Sequence, residues 1–70
     1  MYMKINFSER LKELRTERRV GQVELARAIG VSSGIISLWE TGQREPKMTN
    51  LILLAEYFDI SIDYLVGLED

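Results

Sequence analysis

The amino-acid sequence predicts a compact all-α domain of five short helices. Three observations lead there. Apolar residues recur every three or four positions in successive short blocks, beginning with Phe7, Leu11 and Leu14, which is the period of a helix with one buried stripe. Strict apolar alternation, the mark of a strand, is confined to Met3, Ile5 and Phe7. Each block opens at a capping residue or closes at a glycine, and the one proline, Pro46, falls between blocks.

The first helix begins at Phe7. Asn6 caps it, and Glu9 three residues on completes a capping box. It ends near Arg18 or Arg19. Phe7, Leu11 and Leu14 face the core, while Glu9, Arg10, Lys12, Glu13, Glu17 and Arg18 cover the outer face. The second helix runs over 22–29, with Gly21 as N-cap, Leu25, Ala26 and Ile29 pointing inward, and Gly30 as a left-handed stop. The third runs over 33–40, capped by Ser32, with Ile36 and Trp39 inward and Gly42 beyond its end. A polar loop, 43–47, holds Pro46. The fourth starts at Met48 or Thr49 and ends at Phe58. Its core face is Leu51, Leu54, Ala55 and Phe58, but Ile52, Leu53 and Tyr57 make it apolar nearly all round, which predicts cover on more than one side. The fifth runs over 62–66, between the Ser61 cap and Gly67.

Composition narrows the chemistry. Seventy residues make one small domain that buries roughly 60% of its unfolded surface. The chain has neither cysteine nor histidine. That excludes disulfides, thiolate zinc sites, zinc proteases and Cys–His or Ser–His nucleophile pairs. Asp59 and Asp63 read as helix-flank residues, not catalytic carboxylates. No enzymatic activity, cofactor or metal is expected. No apolar run approaches the ~20 residues of a membrane span, and the start MYMKINF lacks the apolar centre of a signal peptide. A cytoplasmic protein without a membrane partner is expected.

The formal net charge of −2 hides a division. Residues 1–47 hold all nine Lys and Arg against six acids, a balance of +3. Residues 48–70 hold five acids and no base, a balance of −5. The first part suits a polyanion and the last part does not.

The informative unit is 21–42: two short helices joined by a tight turn at Gly30, a helix-turn-helix arrangement. Ala26 lets the helices approach, while Val31 and Ile36 fill the angle between them. The second helix of such a unit fits a DNA major groove, ~12 Å wide, and the first directs its N-terminus at a phosphate.

GQVELARAIGVSSGIISLWETGQREP resembles the helix-turn-helix core of the phage repressor and Cro (XRE-type) family of transcriptional regulators. LILLAEYFDISIDYLVGL is similar to that family's fourth and fifth helices. The likeness runs from Phe7 to Gly67. It rests on the joint occurrence of Gln22, Leu25, Ala26, Gly30-Val31-Ser32, Ile36-Ser37, Trp39-Glu40, Gly42 and Pro46. It implies a five-helix lambda-repressor-like DNA-binding domain over 1–70, with a core at 7–67, the helix-turn-helix at 21–42 and an N-terminal arm at 1–6. The implied location is nucleoid-associated, in a prokaryote or phage.

The resemblance also implies roles. Ser33, Gly34 and Leu38 face base edges, with Ile35 and Ser37 beside them. Gln22, Ser32, Gln43, Arg44, Lys47 and Arg19 serve the phosphate side, and Arg18 and Arg27 are further cationic candidates. Arg15 and Glu40 match an ion pair between the first and third helices. Two departures stand out. Arg19 occupies a position where glycine is common, so a positive φ is expected there. The third helix, SSGIISLW, has no charged or amide side chain, so bidentate Arg–guanine and Gln–adenine contacts are impossible from it. Specificity then leans on thymine methyls, DNA shape and the spacing of two half-sites.

A negatively charged monomer binds DNA weakly, so a homodimer on half-sites one turn apart, ~34 Å, is expected. The surplus apolar residues Leu53 and Tyr57 meet either the N-terminal arm or a second chain; the fifth helix and acidic C-terminus are the other candidate dimer surface. The alternative reading is a protein-interaction module on the same fold, anti-repressor or antitoxin-like, which the uncharged third helix and apolar fourth helix would suit.

Overall fold

Asn6 starts the first helix, α1 (Phe7–Glu17), through a full capping box. The Glu9 N–H donates to Asn6 Oδ1 at 2.9 Å, and the Asn6 N–H donates to Glu9 Oε1 at 3.4 Å. The computed structural model describes residues 6–69. They form five α-helices and no strand: α1, α2 (Gln22–Ile29), α3 (Ser33–Glu40), α4 (Met48–Phe58) and α5 (Ile62–Leu65). The boundaries follow the local signals. Ser32 Oγ accepts the Ile35 N–H, and Ser61 Oγ accepts the Tyr64 N–H. Lys47 has no acceptor with which to cap α4; Asn50 reaches back instead, its Oδ1 accepting the Lys47 N–H at 3.2 Å. α1 ends one or two residues earlier than the pattern suggests, at Glu17, and α5 one residue earlier, at Leu65.

The five helices stop in one way. After each, an N–H reaches back five residues across a left-handed residue: Val20 to the Arg15 carbonyl, Val31 to Ala26, Gln43 to Leu38, Ile60 to Ala55 and Leu68 to Asp63. Glycine holds the left-handed position three times, at Gly30, Gly42 and Gly67. The other two are Arg19 and Asp59, both at φ 56°. Arg19 is thus at positive φ, as its place in the sequence suggests, and Asp59 joins it.

Each helix sends at least one side chain to full burial: Leu11, Leu25, Ile36, Leu54 and Phe58, and Leu65. Trp39 is buried among them, with the Phe7 ring set edge-on to it at 6.3 Å. α3 packs against α1 and α2, while α5 closes the far side against α1 and α4. No helix among the described residues is long and apolar enough to cross a membrane.

One arginine departs from the outer-face reading. Arg10 is buried, its guanidinium 3.8 Å from the centre of the Tyr64 ring and its Nη1 3.3 Å from Glu13 Oε1. A flat cation stacks on an aromatic face with little loss of attraction on desolvation. Position 10 also lies three residues from Phe7 and four from Leu14, on the buried stripe itself. Arg18 is exposed on the outer face, as expected. Its Nη2 donates to the Phe58 carbonyl at 2.8 Å and its guanidinium carbon lies 5.6 Å from the Phe58 ring. A cation there complements the negative end of α4.

The second-side cover expected for α4 is absent among the described residues. Ile52, Leu53 and Tyr57 remain 42%, 40% and 36% exposed, because the neighbouring helices take only the stripe through Leu54, Ala55 and Phe58. Residues 1–5 of the N-terminal arm, one of the two covers expected for Leu53 and Tyr57, lie outside the described residues.

Candidate nucleic-acid interface

The turn between α2 and α3 is built by Gly30, at φ 78°, and closed by the Ser32 cap. Ala26, nearly fully buried, lets the two helices meet closely, and Ile36 fills the junction. α2 begins at Gly21, which offers no side-chain acceptor. Its first N–H groups are therefore left for water or an anion.

With Ile36 and Trp39 committed to the core, helical spacing puts Ser33, Gly34, Ser37, Leu38 and Thr41 on the opposite face of α3. Gly34 and Thr41 are exposed, and Ser33, Ser37 and Leu38 half-buried. Ile35 is half-buried against the core, so its side chain is shared between interior and surface. Thr41 is an addition to the residues read from sequence. Its Oγ1 donates to the Ser37 carbonyl at 3.0 Å and accepts Gln43 Nε2 at 2.9 Å. Its place four residues beyond Ser37 was the available signal.

The orientation of α3 is held by a polar cluster that joins three helices. Arg15 Nε donates to Glu40 Oε2 at 2.7 Å, and Arg15 Nη2 to Glu40 Oε1 at 3.0 Å. Arg15 Nη1 donates to the Val20 carbonyl at 3.0 Å. Gln22 Nε2 adds a bond to Glu40 Oε1 at 3.1 Å. The Glu40 side chain is only 4% exposed and that of Arg15 17%, so water competes little and the fork geometry adds direction to the attraction. Glu40 holds the Arg15 guanidinium above its ordinary pKa, chiefly through the hydrogen bond and also through its charge, against the opposing pull of burial. Because the folded value is raised, what the Arg15 shift contributes to stability is fully present below the ordinary guanidinium range and is lost only above it.

The remaining residues expected on the phosphate side lie at the start of α2 and on the loops before α2 and after α3. Gln22 is half-buried at the first position of α2, with its amide turned to Glu40. Gln43, Arg44 and Lys47 are exposed on the loop after α3, and Arg19 is exposed between α1 and α2. Arg44 lines an open cleft with Asn6, Pro46, Leu51 and Leu68. The structure joins Arg15, Gln22 and Glu40 by direct bonds, and Gln43 to Thr41. It places no bond between these two groups.

A sequence model of the family described as "Helix-turn-helix" matches residues 11–65. The HTH-type transcriptional activator BcrR of Enterococcus faecalis is 36% identical over 66 residues, 94% of this chain and 32% of its own length. The cryptic phage CTXphi transcriptional repressor RstR of Vibrio cholerae is 35% identical over 61 residues, 87% of this chain and 55% of its own length. The chain thus spans about a third to a half of the length of these curated relatives. Among solved structures, the c2 repressor of phage P22 in complex with a synthetic operator superposes with a TM-score of 0.87 at 32% identity, over 94% of this chain and 100% of that one.

Proposed function

The chain belongs to the helix-turn-helix family, and on that premise we propose that it is a sequence-specific, repressor-like transcriptional regulator that binds double-stranded DNA as a homodimer. α3 enters the major groove with Ser33, Gly34, Ser37 and Leu38 toward the bases. Gln22, Ser32, Gln43, Arg44, Lys47 and Arg19 meet the phosphates. Residues 7–67 make up the binding unit, and 21–42 its helix-turn-helix. The role requires no catalytic step, and it belongs in the cytoplasm, at the nucleoid.

The observation that carries this reading is the likeness, across nearly the whole chain, to a repressor solved on its operator. The site supports it in two ways. The buried Arg15–Glu40 pair fixes α3 without using any side chain of its outer face. The uncapped start of α2 leaves N–H groups where an anion is best received. Base readout is thin, since hydroxyls and a leucine lack the paired donors and acceptors that name a base. Dimer spacing and DNA shape supply the rest.

Selection from random duplexes at low salt tests the proposal. An enriched inverted repeat with half-site centres about 10 bp apart supports a dimeric reader. A folded protein that enriches nothing contradicts it, and directs the search to a protein partner for the exposed face of α4.

A further inference from the structure

We propose that the open cleft between the start of α1, the loop after α3 and the segment that follows α5 is the seat of this chain's own N-terminal arm, residues 1–5. The arm enters it with its apolar side, Met3 and Ile5.

The cleft has a volume of about 560 Å³, and clefts of roughly 300–1,000 Å³ accept a ligand the size of several side chains. Its apolar lining is Phe7, Pro46, Leu51, Val66 and Leu68. The first four are half-buried and Leu68 is 52% exposed, so apolar area from four segments is left without cover at one opening. Three observations point to the arm as that cover. Its root is on the rim, because Asn6 itself lines the cleft. The chain is extended there, with Asn6 at φ −90° and ψ 174°, and alternate side chains of an extended chain share one side. Met3 and Ile5 therefore keep step with Phe7, which packs against the core at the cleft's edge, while Tyr2 and Lys4 take the side toward water. Of the two charged residues on the lining, Arg44 and Glu45, only Glu45 attracts Lys4, the one charged side chain of residues 1–5. Five residues span up to about 17 Å, and the seat begins at the first of the described residues. Leu53 and Tyr57 offer no comparable seat. Leu53 follows Leu51 by two residues, about 200° around α4, away from the arm's root. An arm held in the cleft leaves those two exposed and backs the loop that carries Gln43 and Arg44.

The test uses the full chain and the variants Ile5→Ala, Leu68→Ala and Leu53→Ala, with the first combined in turn with each of the others. Thermal unfolding reads stability. Nuclear Overhauser contacts of the Ile5 methyls, recorded on a mixture of isotope-labelled and unlabelled chains, read what the arm touches and in which chain. Ile5→Ala and Leu68→Ala are each expected to lower Tm by about 2–8 °C, and the two together by less than the sum of the single losses. Ile5→Ala and Leu53→Ala should be additive. The Ile5 methyls should contact Leu51 and Leu68 of their own chain. Contacts to Leu53 or Tyr57 instead overturn the proposal, as does an unchanged Tm for Ile5→Ala with no contact to the cleft. Additive losses for Ile5→Ala and Leu68→Ala also overturn it. Contacts found only between labelled and unlabelled chains mean that a second copy's arm fills the cleft, and overturn the assignment to this chain's own arm. No DNA enters the experiment, so its result is independent of the DNA-binding reading.

Discussion

Replacing Gly34 by alanine separates what this glycine does for the fold from what it does for the ligand. Gly34 sits in the first turn of α3, after the Ser32 cap. Its φ is not in the left-handed region, and a Cβ placed on it meets only Ser32 Oγ, at 3.9 Å, an ordinary van der Waals distance. Nothing in the fold asks for glycine. In a helix, glycine is about 1 kcal/mol worse than alanine, so the variant should gain roughly 0.5–1 kcal/mol in this terminal turn. For a domain of this size each kcal/mol moves the melting point by about 4–8 °C, so a rise of roughly 2–8 °C is expected. DNA binding should change the opposite way. If the bare Cα of Gly34 lies against the groove, one added methyl costs about 1–3 kcal/mol of overpacking. That is roughly a five- to 150-fold loss of affinity, at 1.4 kcal/mol per factor of ten. Thermal unfolding of the free protein and duplex titration at low salt measure the two halves. A variant that melts lower would show that the glycine serves the fold. One that melts higher and binds as tightly as the original would refute the close approach.

Other substitutions test the remaining parts. Glu40→Ala leaves Arg15 without its partner and should cost about 3 kcal/mol or more in denaturant titration, whereas Arg15→Met with Glu40→Leu should recover most of that loss; a loss below about 1 kcal/mol would mean the pair behaves like an exposed one. Asp59→Gly and Arg19→Gly each remove a side chain from φ 56° and should stabilise by up to about 1 kcal/mol. Only Arg19→Gly should weaken duplex binding, and equal binding by both variants would remove Arg19 from the phosphate side. Arg44→Ala should weaken binding to every sequence alike and reduce the slope of log affinity against log salt by about 1 per monomer; an unchanged slope would be inconsistent with a phosphate contact.

Helix boundaries were readable because their signals are local. Asn6 with Glu9, and Ser32 and Ser61, cap their own chain within three residues, and Gly30, Gly42 and Gly67 stop it. The core followed from period, since Leu11, Leu25, Ile36, Leu54 and Phe58 hold stripe positions. The likeness to a known family supplied the Arg15–Glu40 pair, which spacing alone does not reveal. What stayed hidden was the far end of long polar side chains. Arg10 looks like a surface cation by type yet lies buried under Tyr64, and the exposed Arg18 turns its guanidinium back to the Phe58 carbonyl. The bond from Gln22 to Glu40 depends on how α2 and α3 cross, and no pattern along one helix encodes that. Asp59 was missed for another reason: aspartate tolerates the left-handed region well enough that its type gave no warning.

The arginine beneath Tyr64 bears on how the molecule opens. α5 has four residues, Ile62–Leu65, too few to persist as a free helix in water. It is held by Leu65 in the core and by the Tyr64 ring over Arg10 of α1. Lifting it away would uncover Leu65 together with that stacked pair, so α5 has no low-energy sub-global opening of its own. Its amides should exchange with solvent at the rate of whole-domain unfolding, not as a fraying end does. A short terminal helix thereby becomes part of the same cooperative unit as the segment that opens the fold.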